Sequence, residues 1–196
     1  NIIDFDEDAS KITKWADQKG NDMLKKPKFG DTIYGQQRFS KDGKYCAIRL
    51  TSPVVPAPDT TQVTLEGKLV VKLAKGQKTA LAKDVKLEPK QKFEVGGIQM
   101  EVKKAGKPKW QADKFPLEVT IQMTKSDWPK IASLKFLGAD GKEIESNRSG
   151  RFWFGNVMGV NYRLKQKVDK ATIEMATWQN METVEIPLKI EPTVGM

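Results

Sequence analysis

The sequence predicts an antiparallel β-sandwich, and three observations carry that expectation. First, Gln62–Leu73 alternates along its whole length. Its odd positions are Val63, Leu65, Gly67, Leu69, Val71 and Leu73, and its even ones are Gln62, Thr64, Glu66, Lys68, Val70 and Lys72. A strand sends alternate side chains to opposite faces, so this stretch reads as a strand with one dry and one wet face, interrupted at Val70. Second, about ten or eleven short runs of this kind follow one another, with turn residues roughly every 8–15 positions. Third, crossover helices between the runs are missing, which excludes a parallel α/β sheet.

The chain starts with its one helix candidate, residues 7–24. Asp8 or Ser10 would cap it, acidic residues occupy the first turn, and Ile12, Trp15, Ala16 and Met23 fall on one helical stripe. Gly20 frays this helix and Pro27 forbids its continuation. Residues 1–30 are therefore expected as a helical segment docked on a sheet edge or on one end of the sandwich. Thr32–Phe39 and Tyr45–Thr51 read as a hairpin around Asp42-Gly43. Pro53, Pro56 and Pro58 make a stiff, extended connection.

After Gln62–Leu73, strands are expected in Thr79–Leu87, in Lys92–Val95 and Ile98–Val102 around Gly96-Gly97, and in Leu117–Met123, Ile131–Leu137, Arg151–Phe154 and Asn161–Leu164. Ser146–Gly150 reads as a polar loop. Thr172–Gln179 and Met181–Ile190 read as a closing hairpin around Asn180, with Pro187 marking an edge strand. Ala105–Pro116 is polar, holds Gly106 and Pro108, and is the candidate boundary if residues 31–196 divide into two sub-domains.

Composition removes most chemistry. The chain has 196 residues and is 38% hydrophobic, enough for a core, and the charged fraction of 30% is balanced enough to fold. There is no His, which removes the Ser–His–Asp triad, the Cys–His pair and the commonest zinc ligand together. The single Cys, Cys46, excludes an intrachain disulfide and is expected as a buried, inert thiol. Asp4-Phe5-Asp6-Glu7-Asp8 opens like a calcium loop, but Ala9 and Trp15 stand where the turn glycine and the bidentate glutamate belong. No catalytic, metal or cofactor-binding residue is assigned, and the chain is not expected to be an enzyme.

The net charge of +9 is nearly all lysine, against five Arg. Guanidinium forks read phosphates and bases better than ammonium groups, so no specific nucleic-acid partner is expected. A solvated lysine surface, or weak attraction to acidic polymers, accounts for the excess. No apolar run approaches the ~18 residues of a membrane span. Asn147-Arg148-Ser149 matches an N-glycosylation triplet.

The surface candidates for binding are Arg148, Arg151 and Trp153, within a run that also holds Gly150, Phe152 and Phe154. In a strand, Phe152 and Phe154 would point into the core, while Arg151 and Trp153 point the other way. Trp153 either stacks with Arg151 on a sugar or base, or caps a sheet edge. Trp110, Trp128 and Trp178 read as anchors or core. Val70 is the fourth candidate: exposed, it would touch a partner chain; covered by the N-terminal segment, its contact is internal.

The run Ser149–Ile190 resembles the ending of poorly characterised extracytoplasmic bacterial proteins with immunoglobulin-like sandwiches, some linked to pilus or outer-membrane loci. The resemblance rests on Tyr162-Arg163-Leu164, Lys167–Thr172 and Val184-Glu185-Ile186-Pro187, under a quarter of the chain. It implies an all-β, immunoglobulin-like antiparallel β-sandwich, to which the residue pattern of positions 7–24 adds an N-terminal α-helix. It further implies a non-enzymatic structural or interaction protein of the periplasm, outer membrane or cell surface, with a signal peptide removed before Asn1. Expected partners are other proteins of the cell surface or pilus assembly, with homo-oligomers open. The alternative is a carbohydrate-binding module using exposed tryptophans, Trp153 or Trp110, with a glycan as ligand.

Overall fold

The computed structural model describes residues 1–24, 34–40, 42–52 and 54–193, with backbone alone at 34–36. Pro27, the start of the Thr32 strand, Lys41 and Pro53 lie outside the described residues. The described chain is all-β and antiparallel, with one short 3-10 helix. It divides into two compact units: residues 1–75 with 180–196, and residues 76–179. The chain thus leaves the first unit at Lys75 and returns at Asn180. The anticipated boundary at 105–116 falls inside the second unit instead.

In the first unit, β1 (Ile2–Phe5), β2 (Lys11–Asp17), β3 (Tyr34–Phe39), β4 (Cys46–Leu50) and β5 (Val63–Leu73) are joined by the returning strand β15 (Glu182–Ile190). β3 and β4 form the expected hairpin, with Gly43 in its turn at φ +66°. The alternating stretch β5 is the centre of the main sheet. β15 pairs along one side of it, and β1 and β2 share the other side end to end.

The anticipated N-terminal helix is therefore two strands, and the misleading pattern has a local cause. β2 carries a bulge between Ile12 and Lys14. A bulge adds one residue to the two-residue repeat, so inward positions fall three apart, at Ile12 opposite Gly67 and Trp15 opposite Leu65. Three apart is also one turn of a helix. The acidic arm is occupied as well. Asp4 and Asp6 lie 3.2 and 3.5 Å from Lys72 Nζ. Burial pulls this ammonium down, but the two carboxylates outweigh it and raise its pKa.

Asp17 secures the end of β2. Its carboxylate accepts from Lys19 N, Asn21 N, Asn21 Nδ2 and Ala57 N, at 2.7–2.9 Å. These bonds, the Asn21 side chain first, hold its pKa well below the usual 3.8. They also tie the proline-rich connection to the sheet. Cys46 is half-buried rather than buried, and that burial pushes its thiol pKa up.

The second unit holds β6 (Gln77–Lys86), β7 (Lys92–Val95), β8 (Ile98–Gly106), β9 (Leu117–Thr124), the 3-10 helix Lys125–Lys130, β10 (Ile131–Leu137), β11 (Glu143–Ile144), β12 (Ser146–Phe154), β13 (Val157–Leu164) and β14 (Lys170–Trp178). One sheet runs β12-β13-β9-β8-β7 and the other β11-β10-β14-β6. Val102, Val119, Ile121, Val160 and Leu164 from the first sheet meet Phe136, Ile173 and Met175 from the second in one core. The rings of Phe136 and Tyr162 meet edge to face at 5.4 Å. Two sheets closing on one core make this unit a β-sandwich. Burial there pushes the Tyr162 phenol up to about 12, opposed by the positive charge of Arg148.

Two further expectations change. Ser146–Gly150 is the first half of β12, not a loop. β14 and β15 do not form a hairpin: β14 lies between β10 and β6, and β15 pairs with β5. Asn180, at φ +49°, is where the chain leaves one unit for the other.

Candidate functional site

The candidate site is the β12–β13 hairpin at one edge of the five-stranded sheet. It turns through Gly155-Asn156, with Phe154 opposite Val157. Gly155 has φ +56°, which suits the first central position of a tight II′ turn. This turn sets the register of every residue behind it. Phe152 faces Gly159, Trp153 faces Met158, and Arg151 faces Val160.

That register reverses the anticipated orientation. Met158 and Val160 are core residues, so Trp153 and Arg151 share the core-side parity, and Phe152 and Phe154 lie on the outer face. None of the three aromatics is buried. Phe154 is 87% exposed, Trp153 60%, Phe152 43%, and Val157 across the turn 42%. Phe152 and Phe154 are therefore not core. The end of the Phe152 ring fills the place of a side chain at Gly159: a Cβ there would lie 2.3 Å from it. Signals for this were present in the sequence, in the Gly155-Asn156 turn and the glycine it sets opposite an aromatic.

The hydrogen-bond phase follows from the neighbouring strand. Lys125 N–H donates to the Asn156 carbonyl at 2.8 Å, and Val157 pairs with Thr124. Val157 is thus a non-bonded partner of β9 and turns its own N–H and C=O towards Phe154. Alternation then points the backbone groups of Trp153 and Arg151 away from β13. No described strand pairs with that side.

Arg148 lies nearer the start of β12, its guanidinium 5.6 Å from the Trp128 ring centroid. A bulge separates it from Gly150. The structure therefore brings Arg148, Arg151 and Trp153 onto one hairpin and excludes Val70 from it. Val70 is 1% exposed. Its carbonyl accepts from Asp6 N–H at 2.9 Å, and its N–H donates to Ser10 Oγ at 2.8 Å. Its contact is internal to the first unit.

Trp110 is 74% exposed, but its neighbour Gln111 accepts from Arg163 Nη1, at the opposite end of β13 from Trp153. The two tryptophans do not form one platform. Sequence reasoning also missed a shallow groove of about 380 Å³ on the outer sheet face beside Val157, lined by Lys92, Gln99, Glu101, Gln122 and Thr124. Among the described residues, no group of three or more His, Cys, Asp or Glu is arranged to hold a metal ion.

No protein-family model, curated protein or solved structure matches this chain.

Proposed function

We propose that this chain is a non-enzymatic interaction protein of the periplasm or cell surface, built on an immunoglobulin-like sandwich. It acts by offering the open edge of β12 to an extended strand of another surface or pilus protein. The carrying observation is the outward N–H and C=O of Arg151 and Trp153, which no described strand satisfies. The run from Gly150 to Phe154 lies beyond the bulge and is regular enough to accept a strand. Its Arg151 would favour an acidic residue on the partner.

The test borrows a device from β15, where Pro187 stands on an edge strand. In Arg151→Pro, the outward N–H is removed while the bonds to β13 remain. A photo-crosslinking residue at position 149, in cells, should give a discrete protein adduct that Arg151→Pro abolishes. An adduct that persists in Arg151→Pro, or none above a control at Lys83 on β6, overturns the reading. The second reading, glycan binding, is favoured by the exposure of Trp153 beside Arg151. It expects Trp153→Ala to abolish retention on an immobilised glycan array, and Arg151→Gln to weaken it as much as Arg151→Pro does.

A further inference from the structure

The tip of the hairpin differs from its side. Phe152, Trp153, Phe154 and Val157 are all exposed around a two-residue turn that ends the sheet. Apolar area of this kind is costly in water and marks a surface that something apolar covers. The shallow groove beside Val157 opens on the outer sheet face, whereas the turn itself ends the strand pair. What it presents is a wedge: Phe154 and Val157 flank the turn, and Trp153 stands one residue behind.

Charge around the wedge is the second observation. The second unit holds 20 Lys and Arg against 12 Asp and Glu, a net of +8, whereas the first holds 14 against 13. The excess positive charge of the chain thus lies almost wholly in the unit that carries the wedge. Arg151 is on the same strand, and Lys125 is held beside the turn by its bond to Asn156. The nearby acid Asp127 is already occupied, accepting from Lys130 at 2.6 Å and from Thr124.

We propose that this tip inserts peripherally into the interface of an anionic lipid bilayer. Phe154 and Val157 enter the acyl boundary, Trp153 sits at headgroup level, and Arg151 and Lys125 meet lipid phosphates. The contact is made by side chains at the tip alone, and no described helix is long and apolar enough to cross a membrane. It goes beyond the strand-edge reading and does not depend on it, because it uses side chains at the tip rather than backbone groups along the edge.

The experiment is co-sedimentation of the full chain with vesicles of phosphatidylcholine alone, or of phosphatidylcholine with phosphatidylglycerol. Binding is expected to the anionic vesicles and to weaken steeply with salt. Trp153→Ser/Phe154→Ser should lower the partition coefficient by about tenfold or more at unchanged thermal midpoint. Arg151→Gln should lower it by about fivefold. Absence of binding to anionic vesicles overturns the proposal. So does equal binding by the double-serine variant, which would assign the attraction to the lysine surface alone. Vesicle binding unchanged while the double variant loses its crosslinked protein partner would make the tip a protein contact and also overturns it. Failure of the strand-edge reading is seen separately, in the crosslink at position 149 of Arg151→Pro against that of Arg151→Gln: both lack the guanidinium, and only the proline removes the outward N–H.

Discussion

Two edge strands, β15 in the first unit and β12 in the second, have the same length and opposite designs. β15 pairs with β5 from Glu182 to Ile190, and Pro187 stands opposite Lys68. Lys68 has the parity of Val70, whose N–H and C=O turn towards the β1–β2 side. The nitrogen of Pro187 therefore faces outward, where a second strand would need a donor. Glu185 lies two residues before it on the same parity, ion-paired at 2.7 Å to Lys68. Charge and proline close this edge, although Ile186 and Ile190 are both exposed. β12 has no proline, and its open run ends in three exposed aromatics. Exposed apolar side chains occur on both strands, so they do not distinguish them. The difference is whether the backbone beside them can still pair.

The largest effects should come at the two glycines that receive a neighbouring strand. At Gly67 an added Cβ would meet the Lys11 carbonyl at 2.3 Å and the Ile12 Cα at 2.9 Å, both backbone atoms. Gly67→Ala should therefore cost about 2–3 kcal/mol in urea unfolding by forcing β2 off β5. At Gly159 the obstacle is the end of an exposed ring, which can swing away. Gly159→Ala should cost no more than about 1 kcal/mol while exposing Phe152 further. Equal losses would mean that Phe152 is held far more firmly than its exposure indicates.

Asp17 fixes the end of β2 within the sheet that β15 closes. Because the Asp17 pKa is depressed in the folded state, its carboxylate stabilises the fold above the unfolded value of 3.8. That contribution is lost as pH falls through this value towards the lower folded one. Asp17→Asn should lower the urea midpoint at pH 7, and its gap from the parent should narrow steadily as the pH drops below 3.8. A gap independent of pH would assign the loss to altered hydrogen bonding alone.

The smallest effect on stability should come from the edge itself. Pro187→Val restores the outward donor and should change unfolding free energy by less than about 1 kcal/mol. Its consequence is association: light scattering should show a concentration-dependent rise in mass that the parent lacks. A monomeric Pro187→Val chain would show that charge alone closes β15.

Strand positions were the most legible part of the sequence, because a strand with one dry face writes its own period. β5 and β9 carry that signal in Val63–Leu73 and Leu117–Thr124, and β15 shows the same alternation in Glu182–Ile190 although none of its residues is buried. Pro187 correctly marked an edge. β2 was misread because its bulge imitates helical spacing, and the start of β12 because its residues are polar on both faces. Residue type singled out Arg148, Arg151 and Trp153 as surface candidates, but the facing expected along Arg151–Phe154 was inverted. Parity along Arg151–Phe154 shows which residues share a face, but not which face is inside. That depended on pairing with β13, whose core residues Met158 and Val160 fix the side.

By itself, then, the sequence determined an all-β antiparallel chain, the absence of histidine chemistry and a regular strand in Gln62–Leu73. Each follows from local composition or from period two. Tertiary structure alone decided that β5 receives strands distant in sequence on both sides, and that β14 and β15 part at Asn180. It also buried Val70 while exposing Phe152, Trp153 and Phe154. These depend on which strands pair, and pairing is settled by long-range register and backbone clearance, as at Gly67, rather than by any local pattern.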